Sequence, residues 1–580
     1  MASRTPILVL LWLLALGATS ENVVDRLTDT YDEQLTVNRL KSGQIYSHFR
    51  FSIVSPFLHA QGSYELFPRI IDEITKKYKV RDLQLSLTQG YWRTSQWGLQ
   101  PKPETPNGAQ LIALFDGDSE KEIDQRWTFL VNSLNGIFCT SLMELVPPLT
   151  STPKWFRSDL IGEHGNVSTM PKNIRYGALG GETVCTENLT PWKKLLPCKQ
   201  NGIIQLLNPT KLFSSAFHSL TLRVKNGEAG RSLEMTAGYL ADMPVHSKEM
   251  SWNFRKLYDR IIAGQCVVAS KSDVLVRKED LKDIRYSQES SETVTVAGQE
   301  FLRYDLTKLP LKTSFNLAVQ TRSSLEIRTP PQTFFGMHSF LSHVGLQNGQ
   351  IRHRLTNLKE ADLPITFTHM VPWFLRVFMH TIAIKCEPSG SQERPEARIS
   401  ERHYVLAVDR KKPALIELQI VLPGKSVCVM SVDYETAFMR AEEFHPDANY
   451  GNYIPGAVVS FKPAEEDLLA NVITPTWAPE DQILVYGETL LVQMPTPDFS
   501  MPFNVLCLVS TVIAIFYGPI HGLTTKVMKP CMDTVPERKA LLWKLIDLII
   551  SLLKMIKSKI SKKQEDKKSD EGDEDKKKEE

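Results

Sequence analysis

Cysteine is the residue type in this chain whose chemistry is easiest to assign. Of its eight cysteines, six lie before residue 440, at Cys139, Cys185, Cys198, Cys266, Cys386 and Cys428. Thiols form lasting disulfides in oxidising compartments, so the side of a membrane on which each cysteine lies decides its chemistry. The spacing between Cys185 and Cys198 suits an intrachain disulfide. Counting does not decide whether a bond to a second chain forms instead.

Motifs for other kinds of catalysis are absent from the sequence. It contains no phosphate-binding loop, no G-x-S-x-G nucleophile turn, no H-E-x-x-H pair and no C-x-x-C pair. Histidines such as His338, His343, His380 and His403 could pair with a cysteine in the folded chain, but no spacing nominates such a pair. The carboxylates are too scattered to indicate a glycosidase pair. The sequence therefore predicts no catalytic residue, metal site or cofactor.

Two sequons indicate sites of modification. Asn166 precedes Val and Ser, and Asn188 precedes Leu and Thr, the pattern that the glycan transferase reads. Asn166 lies in a polar, glycine-containing stretch that suits an exposed loop. Asn188 is followed closely by Pro191, which stiffens the backbone. We predict glycans at both asparagines.

One hydrophobic run divides the chain. Residues 503–523 contain no Asp, Glu, Lys or Arg. Twenty-one helical residues span about 31 Å, the thickness of the hydrocarbon core of a bilayer. The run therefore predicts a transmembrane helix.

The N-terminus predicts which side the body occupies. Arg4, an apolar segment at 7–16 and small residues at 18–20 are typical of a removable signal peptide over residues 1–20. Basic residues stay in the cytosol, and they follow the predicted span at Lys526, Lys529, Arg538 and Lys539. We predict a single-pass type I protein, with residues 21–502 in the lumen or outside and residues 524–580 in the cytosol. The six cysteines of the body then lie in an oxidising compartment.

Composition bounds the class of protein. Hydrophobic residues make up 42% of the chain and charged residues 23%, which is ordinary for folded protein. The body is long enough for two to four domains. Basic residues do not cluster with aromatic ones, and we expect no binding to nucleic acid.

The patterning predicts an α+β, β-rich body. Residues 67–78 and 123–137 have apolar faces at helical spacing, and the latter places Ile123, Trp127 and Leu130 on one side. Leu83, Leu85 and Leu87 alternate with polar residues, as in a half-buried strand. From about residue 290 short β-prone segments dominate, which predicts a β-sandwich. We expect an α+β domain over 21–290, a β-rich, sandwich-like domain over 291–502 and the transmembrane helix at 503–523.

Trp92 and Trp97 follow the predicted strand at 83–87. Tryptophans in a loop can bind a sugar or a partner. We favour the interpretation that these tryptophans form a lid that covers an apolar core.

The cytosolic tail predicts two features. Residues 539–557 place Lys544, Asp547, Ser551 and Lys554 on one helical stripe, which favours an amphipathic helix on the membrane surface over a second span. After residue 559 the sequence is a charged mixture typical of disorder. Lys577 and Lys578 match a di-lysine signal for retrieval to the endoplasmic reticulum.

Five landmarks in order along the chain resemble the PIG-T family, a component of the GPI-anchor transamidase of the endoplasmic reticulum. The segment from Cys185 to Cys198 (CTENLTPWKKLLPC) resembles a signature segment of that family. The other landmarks are residues 85–94 (LSLTQGYWRT), 136–142 (GIFCTSL), 371–376 (VPWFLR) and 491–508 (LVQMPTPDFSMPFNVLCL).

The resemblance implies a non-catalytic subunit that resides in the endoplasmic reticulum membrane with its bulk in the lumen. In the family, a caspase-like subunit, PIG-K, performs the reaction, and PIG-T holds it beside PIG-S, PIG-U and the GAA-type subunit. The first cysteine of the signature forms a disulfide to the catalytic subunit, and this role falls on Cys185. The resemblance implies no cofactor.

Two other classes of protein remain open. One is a luminal hydrolase with an unrecognised active site. The other is a cell-surface adhesion or receptor protein built on a β-sandwich, against which the di-lysine signal argues.

Overall fold

A computed structural model describes most of the body and parts of the C-terminal region. The residues that it describes are 29–40, 42–56, 65–117, 119–157, 160, 171–227, 230–241, 251–278, 284–296, 299–308, 310, 314–321, 333–388, 396–445, 447–462, 482–496, 500–527, 543–555 and 557–558. The predicted signal peptide, Asn166, Lys577 and Lys578 lie outside these residues.

The helices and strands, in chain order, have the following bounds. The α-helices are α1 (Arg69–Lys77), α2 (Thr94–Trp97), α3 (Glu120–Phe138), α4 (Thr186–Lys194), α5 (Pro209–Phe213), α6 (Phe254–Tyr258) and α7 (Ser500–Thr525). The strands up to residue 321 are β1 (Thr30–Arg39), β2 (Ile45–Pro56), β3 (Val80–Gln89), β4 (Gly108–Phe115), β5 (Thr150–Ser151), β6 (Ile174–Leu179), β7 (His218–Gly227), β8 (Gly230–Ala241), β9 (Ser251–Asn253), β10 (Lys271–Arg277), β11 (Ile284–Tyr286), β12 (Glu292–Val296), β13 (Gln299–Asp305) and β14 (Ala318–Thr321). The strands after residue 321 are β15 (Phe335–Val344), β16 (Asn348–Asn357), β17 (Leu363–Val371), β18 (Leu375–Val377), β19 (Ala383–Pro388), β20 (Arg398–Val405), β21 (Ala414–Leu422), β22 (Ser426–Thr436), β23 (Asn452–Ile454), β24 (Val458–Phe461), β25 (Ile483–Tyr486) and β26 (Leu490–Val492).

The first lobe, which we define as the described residues from 29 to 321, is built on one large sheet. Its eleven strands run in the order β12-β13-β10-β1-β2-β8-β7-β3-β4-β6-β5. Helices α1, α3 and α4 contribute Ile71, Trp127 and Trp192 to a single apolar core with this sheet. The lobe is therefore α+β, as predicted.

The helix predictions in this lobe are largely confirmed. The predicted face of α3 is buried, with Ile123, Trp127 and Leu130 each 2% exposed or less. In α1, Ile71 is buried but Ile70 is 46% exposed. The apolar face of α1 is therefore narrower than its three isoleucines indicated.

The second lobe, the described residues from 333 to 496, is a β-sandwich. One sheet has the order β15-β16-β22-β18, with β19 also paired to β22, and the other has the order β20-β21-β17-β24-β25. Between them lie inward-facing side chains such as Ile351, Phe367 and Leu418. The predicted sandwich is confirmed. Strands β18 and β19 flank a 3-10 turn at Met379–Thr381.

The first sheet extends past residue 290, where the sequence placed the domain boundary. Strand β13 pairs antiparallel with β10, and β12 pairs with β13. Residues 292–305 therefore belong to the first lobe. Their β-rich pattern resembled the sandwich because it reports local structure and not the sheet that a strand joins.

The two lobes share a buried apolar interface, and their described residues belong to one compact unit. Ile112 and Leu114 of β4 and Tyr176 of β6 pack with second-lobe side chains, among them Leu415 and Tyr486. Successive residues of a strand point to opposite faces. The alternate residues of β4, such as Leu111 and Ala113, consequently lie in the core of the first lobe. Strand β4 is buried on both faces.

A buried carboxylate reinforces this interface. Glu417 of β21 is fully buried and accepts hydrogen bonds from three consecutive backbone N–H groups of the first lobe, those of residues 154, 155 and 156, at 2.8, 3.1 and 3.0 Å. His403 Nδ1 lies 2.8 Å from the same carboxylate. Such a row of N–H groups is a favourable site for an anion. Glu417 therefore fixes the loop before residue 157 to the sandwich.

Strand β3 departs from its prediction. Its polar residues Gln84, Ser86 and Thr88 are at most 3% exposed, so the strand is buried on both faces. Gln84 accepts a hydrogen bond from Arg157 at 2.7 Å. Gln84 is buried at little cost because it is hydrogen-bonded, and the alternation that predicted a half-buried strand does not show this bond.

The tryptophans after β3 form a lid, as we favoured. Trp92 and Trp97 are about one-twentieth exposed and pack in a cluster with Phe217 and Tyr46. Their rings meet edge to face at 5.2 Å between centroids.

Helix α7 belongs to a second unit, separate from the two lobes. Among the described residues, Phe503–Thr525 is the one helix long and apolar enough to cross a membrane, with a mean hydropathy of 2.0. Residues 543–555 are also helical, within the range predicted for the amphipathic helix; residues 539–542 and 556 lie outside the described residues. Its position on a membrane surface stays a prediction.

Replacing Glu417 should weaken the interface between the lobes. In the Glu417→Gln variant an amide NH₂ group faces donors, so at least one buried N–H or imidazole nitrogen loses its acceptor. We expect a loss of about 2–4 kcal/mol in the free energy of unfolding. Denaturant unfolding of the purified full-length chain measures it. Glu401→Gln, an exposed carboxylate on β20, is the matched control. Coinciding unfolding curves for the two variants would contradict the role given to Glu417.

Candidate partner-attachment site

Cys185 lies where the first lobe turns from its sheet into a helix. It follows β6 and occupies the N-cap position of α4. Its side chain is exposed and forms no disulfide. The residues around it are anchored, since Val184, Leu189 and Trp192 are at most 4% exposed. The chain thus presents an accessible thiol from a fixed backbone.

Asn188 holds this backbone in place. Its side chain is 1% exposed, and its Oδ1 accepts the Cys185 N–H at 2.8 Å. Its Nδ2 donates to the carbonyl oxygens of Phe138 and Cys139, at 2.8 and 3.0 Å. Those carbonyls belong to the C-terminal end of α3, where helical partners are lacking. One amide therefore ties the start of α4 to the end of α3.

Cys139 is a second exposed cysteine without a disulfide, at the end of α3. It has a left-handed backbone with φ 51°. The same Asn188 amide bonds to the backbones of Cys139 and Cys185. The sequence analysis places Cys139 among the body cysteines and in a landmark but gives it no role of its own. The pairing of the other cysteines would have identified it, but spacing does not predict that pairing.

Four cysteines of the body form two intrachain disulfides. Cys198 pairs with Cys266, and Cys386 with Cys428. The first bond excludes the alternative of a Cys185–Cys198 disulfide in this structure. The second joins neighbouring strands β19 and β22. Cys185 thus remains available for a bond to another chain.

A cleft of about 450 Å³ opens beside this site. Its lining includes Glu144, Glu182 and Thr183 of the first lobe and Phe374, His445 and Tyr450 of the second. Glu182 accepts the N–H of Ser141 at 3.0 Å. Burial raises the pKa of Glu144 above its usual value, and the opposing effect of nearby His445 is smaller. Carboxylates and an aromatic ring on one cleft are suited to a cationic group.

One serine–histidine pair bears on the hydrolase alternative. Ser339 Oγ lies 2.9 Å from His353 Nδ1. His353 is fully buried and Ser339 is 7% exposed, and burial lowers the pKa of His353 well below its usual value. Neither side chain lines the cleft beside Cys185. A buried pair of this kind stabilises the sandwich and offers no access to a substrate.

The part of the chain that the structure describes contains no candidate metal site. No group of three or more His, Cys, Asp or Glu side chains there could hold a metal ion.

The two predicted glycan sites differ. Asn166 lies outside the described residues. At Asn188 the fold argues against the predicted glycan, because a glycan replaces one of the Nδ2 hydrogens and both serve buried hydrogen bonds. The Asn188 side chain is also too deeply buried to carry a sugar. The sequon shows the residue pattern but not this burial.

Removing each sequon without touching the fold tests this difference. Thr190→Ala removes the second sequon and leaves Asn188 in place; Thr190 is exposed and bonds only within α4, to the Thr186 carbonyl. We expect unchanged electrophoretic mobility for Thr190→Ala. Asn166→Gln should migrate faster, by the mass of one glycan. A mobility gain in Thr190→Ala that glycosidase treatment abolishes would show that Asn188 is glycosylated.

Comparison with known proteins identifies the family. Residues 8–245 and 237–549 match the family described as "Gpi16 subunit, GPI transamidase component". The human protein named GPI-anchor transamidase component PIGT is 32% identical over 569 residues, covering 91% of this chain and 95% of the human protein. GPI transamidase component GPI16 of Saccharomyces cerevisiae is 24% identical over 93% of this chain and 97% of its own length. The PIG-T homolog of Schizosaccharomyces pombe is 25% identical over 92% of this chain and 94% of its own length.

Solved structures add nothing to this assignment. The collagen-binding domain of the Erysipelothrix rhusiopathiae surface protein RspB covers 80% of this chain and 97% of that domain, at 8% identity and a TM-score of 0.17. That score is too low to indicate a shared fold. The family match, in contrast, extends through both lobes and into the region after α7, and the chain therefore belongs to the Gpi16 family of GPI transamidase components.

Proposed function

We propose that this protein is a non-catalytic subunit of the GPI transamidase, the complex that joins proteins to GPI lipids in the endoplasmic reticulum. The observation that carries the proposal is the match to named transamidase components over 91% of the chain. The complex removes a C-terminal signal from a protein and joins the new carboxyl end to the ethanolamine of a GPI lipid. A subunit of this kind needs surfaces for other chains and no active site of its own.

The structural role that we propose is to hold the catalytic, caspase-like subunit PIG-K. Cys185 supports it, because its thiol is exposed and unpaired and its backbone is bonded through Asn188 to α3. A disulfide there keeps the partner at high effective concentration without taking part in the reaction. PIG-S, PIG-U and the GAA-type subunit complete the proposed set of partners.

The proposed location is the endoplasmic reticulum membrane. Helix α7 is long and apolar enough for a single span, and the basic residues after it favour a cytosolic C-terminus. The body then lies in the lumen, where disulfides form and GPI attachment takes place. Lys577 and Lys578 are the proposed retrieval signal.

Cys185→Ser should abolish a disulfide-linked heterodimer with the catalytic subunit on non-reducing gels. GPI attachment, measured as GPI-linked reporter at the cell surface, should fall only partly because the noncovalent interface remains. Cys139→Ser is the matched control, since it removes the other exposed thiol bonded to the same amide.

The two variants separate the alternatives. Loss of the linked species in Cys185→Ser and its persistence in Cys139→Ser support the proposed tether. Persistence in Cys185→Ser would overturn the assignment of Cys185. Loss in Cys139→Ser alone would assign the bond to the end of α3.

Protease added to sealed microsomes tests the topology. A type I chain should lose only the segment after α7, with the two lobes protected until detergent is added. An antibody to the body measures the protected fragment, and an antibody to the last residues measures the loss of the tail. Protection of the tail, or digestion of the body in sealed vesicles, would contradict the type I topology.

A further inference from the structure

A second cleft, of about 500 Å³, lies between α3 of the first lobe and the turn that joins β20 to β21 in the second lobe. Clefts of this size accommodate a small ligand or several residues of a peptide. It shares no lining residue with the cleft beside Cys185. We call it the lysine cleft, because cationic side chains outnumber carboxylates in its lining. The cationic side chains are those of Lys154, Lys172, Arg175, Lys411 and Lys412.

The charges of the four lysines are not neutralised by the chain itself. Among the described residues, none of the four forms an ion pair. Two carboxylates line the cleft, those of Glu120 and Asp124, and Asp124 already accepts a hydrogen bond from Arg175 Nε at 2.7 Å. Like charges repel one another, and an anion placed among them lowers their energy. The cleft is therefore a favourable environment for negative charge.

The backbone fixes the positions of three of these lysines. Lys411 and Lys412 lie in a tight turn that two hydrogen bonds between the backbones of Val408 and Lys412 close, each at 2.9 Å. Lys172 lies in a 3-10 turn, and its carbonyl accepts a hydrogen bond from Arg175 Nη1 at 2.7 Å. The positive charges thus extend from fixed backbones that belong to both lobes.

The groups that usually hold a small anion are already engaged in this region. Arg175 is 2% exposed, and its guanidinium donates to Asp124 and to backbone carbonyls. The three successive N–H groups of residues 154–156 donate to Glu417. An arginine fork or such a row of N–H groups is what binds a single phosphate well. The lysine ammonium groups that remain act as point charges on flexible stems. They suit several carboxylates along a chain better than one phosphate.

An edge of the large sheet lies in the same cleft. Strand β5 is the last strand of that sheet and pairs on one side with β6. Residues 150–153, which include β5, line the cleft. An extended peptide can add to the edge of a sheet through hydrogen bonds of its own backbone. The position of β5 therefore favours a ligand in an extended conformation.

We propose that the lysine cleft binds an extended, acidic segment of another protein chain. Aspartate and glutamate side chains of that segment contact Lys172, Lys411 and Lys412, and its backbone lies along residues 150–153. The contact is independent of the disulfide proposed at Cys185, of the membrane span and of the transamidase assignment. Because the attraction is between exposed charges, it weakens as the salt concentration rises.

Binding of a defined peptide to the purified full-length chain tests the proposal. The probe is a short fluorescent peptide in which glutamate alternates with serine, and fluorescence anisotropy measures its Kd. The cleft variant combines Lys172→Gln, Lys411→Gln and Lys412→Gln. The matched control variant loses the same charge from exposed lysines outside the cleft, through Lys194→Gln, Lys199→Gln and Lys211→Gln.

We expect the acidic peptide to bind the native chain at low salt, with a Kd that rises about tenfold in the cleft variant and less than about twofold in the control variant. The same peptide with glutamine in place of glutamate should not bind. Absence of binding, or an equal loss in the two variants, would overturn the proposal. Displacement of the peptide by inorganic phosphate, at an ionic strength at which chloride leaves it bound, would show a small-anion site instead and would also overturn it.

Photocrosslinking in cells tests whether a protein chain occupies the cleft. A photoreactive phenylalanine analogue replaces Thr152, which lines the cleft, or Ser214, an exposed control outside it. We expect a polypeptide adduct at position 152 alone, on a segment that mass spectrometry shows to be rich in Asp and Glu. The adduct should disappear in the cleft variant and persist in the control variant. Absence of an adduct at 152, or an adduct on a segment without acidic residues, would contradict the proposal.

Discussion

The burial of β4 on both faces is the constraint on which the rest of the body depends. One face of β4 completes the core of the first lobe, and the other face, with β6, packs against the sandwich. If the lobes separated, Ile112, Leu114 and Tyr176 on this second face would become exposed to water, and the free energy gained from their burial would be lost. The buried carboxylate of Glu417 adds direction to this apolar contact, because three successive N–H groups must point at it. The lobes consequently form one unit, and the cleft beside Cys185 takes its lining from both.

Local pattern predicted those elements whose environment is simple. Helix α3 packs one stripe on one core and faces solvent elsewhere. Its spacing therefore indicated its buried side chains, and its bounds to within three residues. Strand β3 was misjudged because Gln84, Ser86 and Thr88 are polar and yet buried. Their burial depends on what covers the far face of the sheet, which is remote in sequence. The same reason explains the misplaced boundary near residue 290, since the strands β12 and β13 join a sheet whose other members lie far upstream.

The proposed attachment site could be predicted only in part. Family resemblance pointed to Cys185, whereas its spacing from Cys198 favoured a disulfide between these two residues. In the structure Cys198 pairs with Cys266 instead. Which cysteines meet depends on the packing of loops after folding. Asn188 shows the same limit. Its sequon indicated a sugar, yet the side chain is a buried connector between two helices.

The connection through Asn188 has a mechanical consequence. A load applied to the Cys185 sulfur does not act on a free loop, because the peptide that carries it is bonded through one amide to the end of α3. Helix α3 in turn is seated on the large sheet by Trp127 and Leu130. Force therefore spreads from a single thiol into the core of the first lobe and, through β4, into the sandwich. A chain bonded at this point would move with the whole body as a rigid attachment, and its remaining freedom would be rotation about the few bonds of the linkage itself.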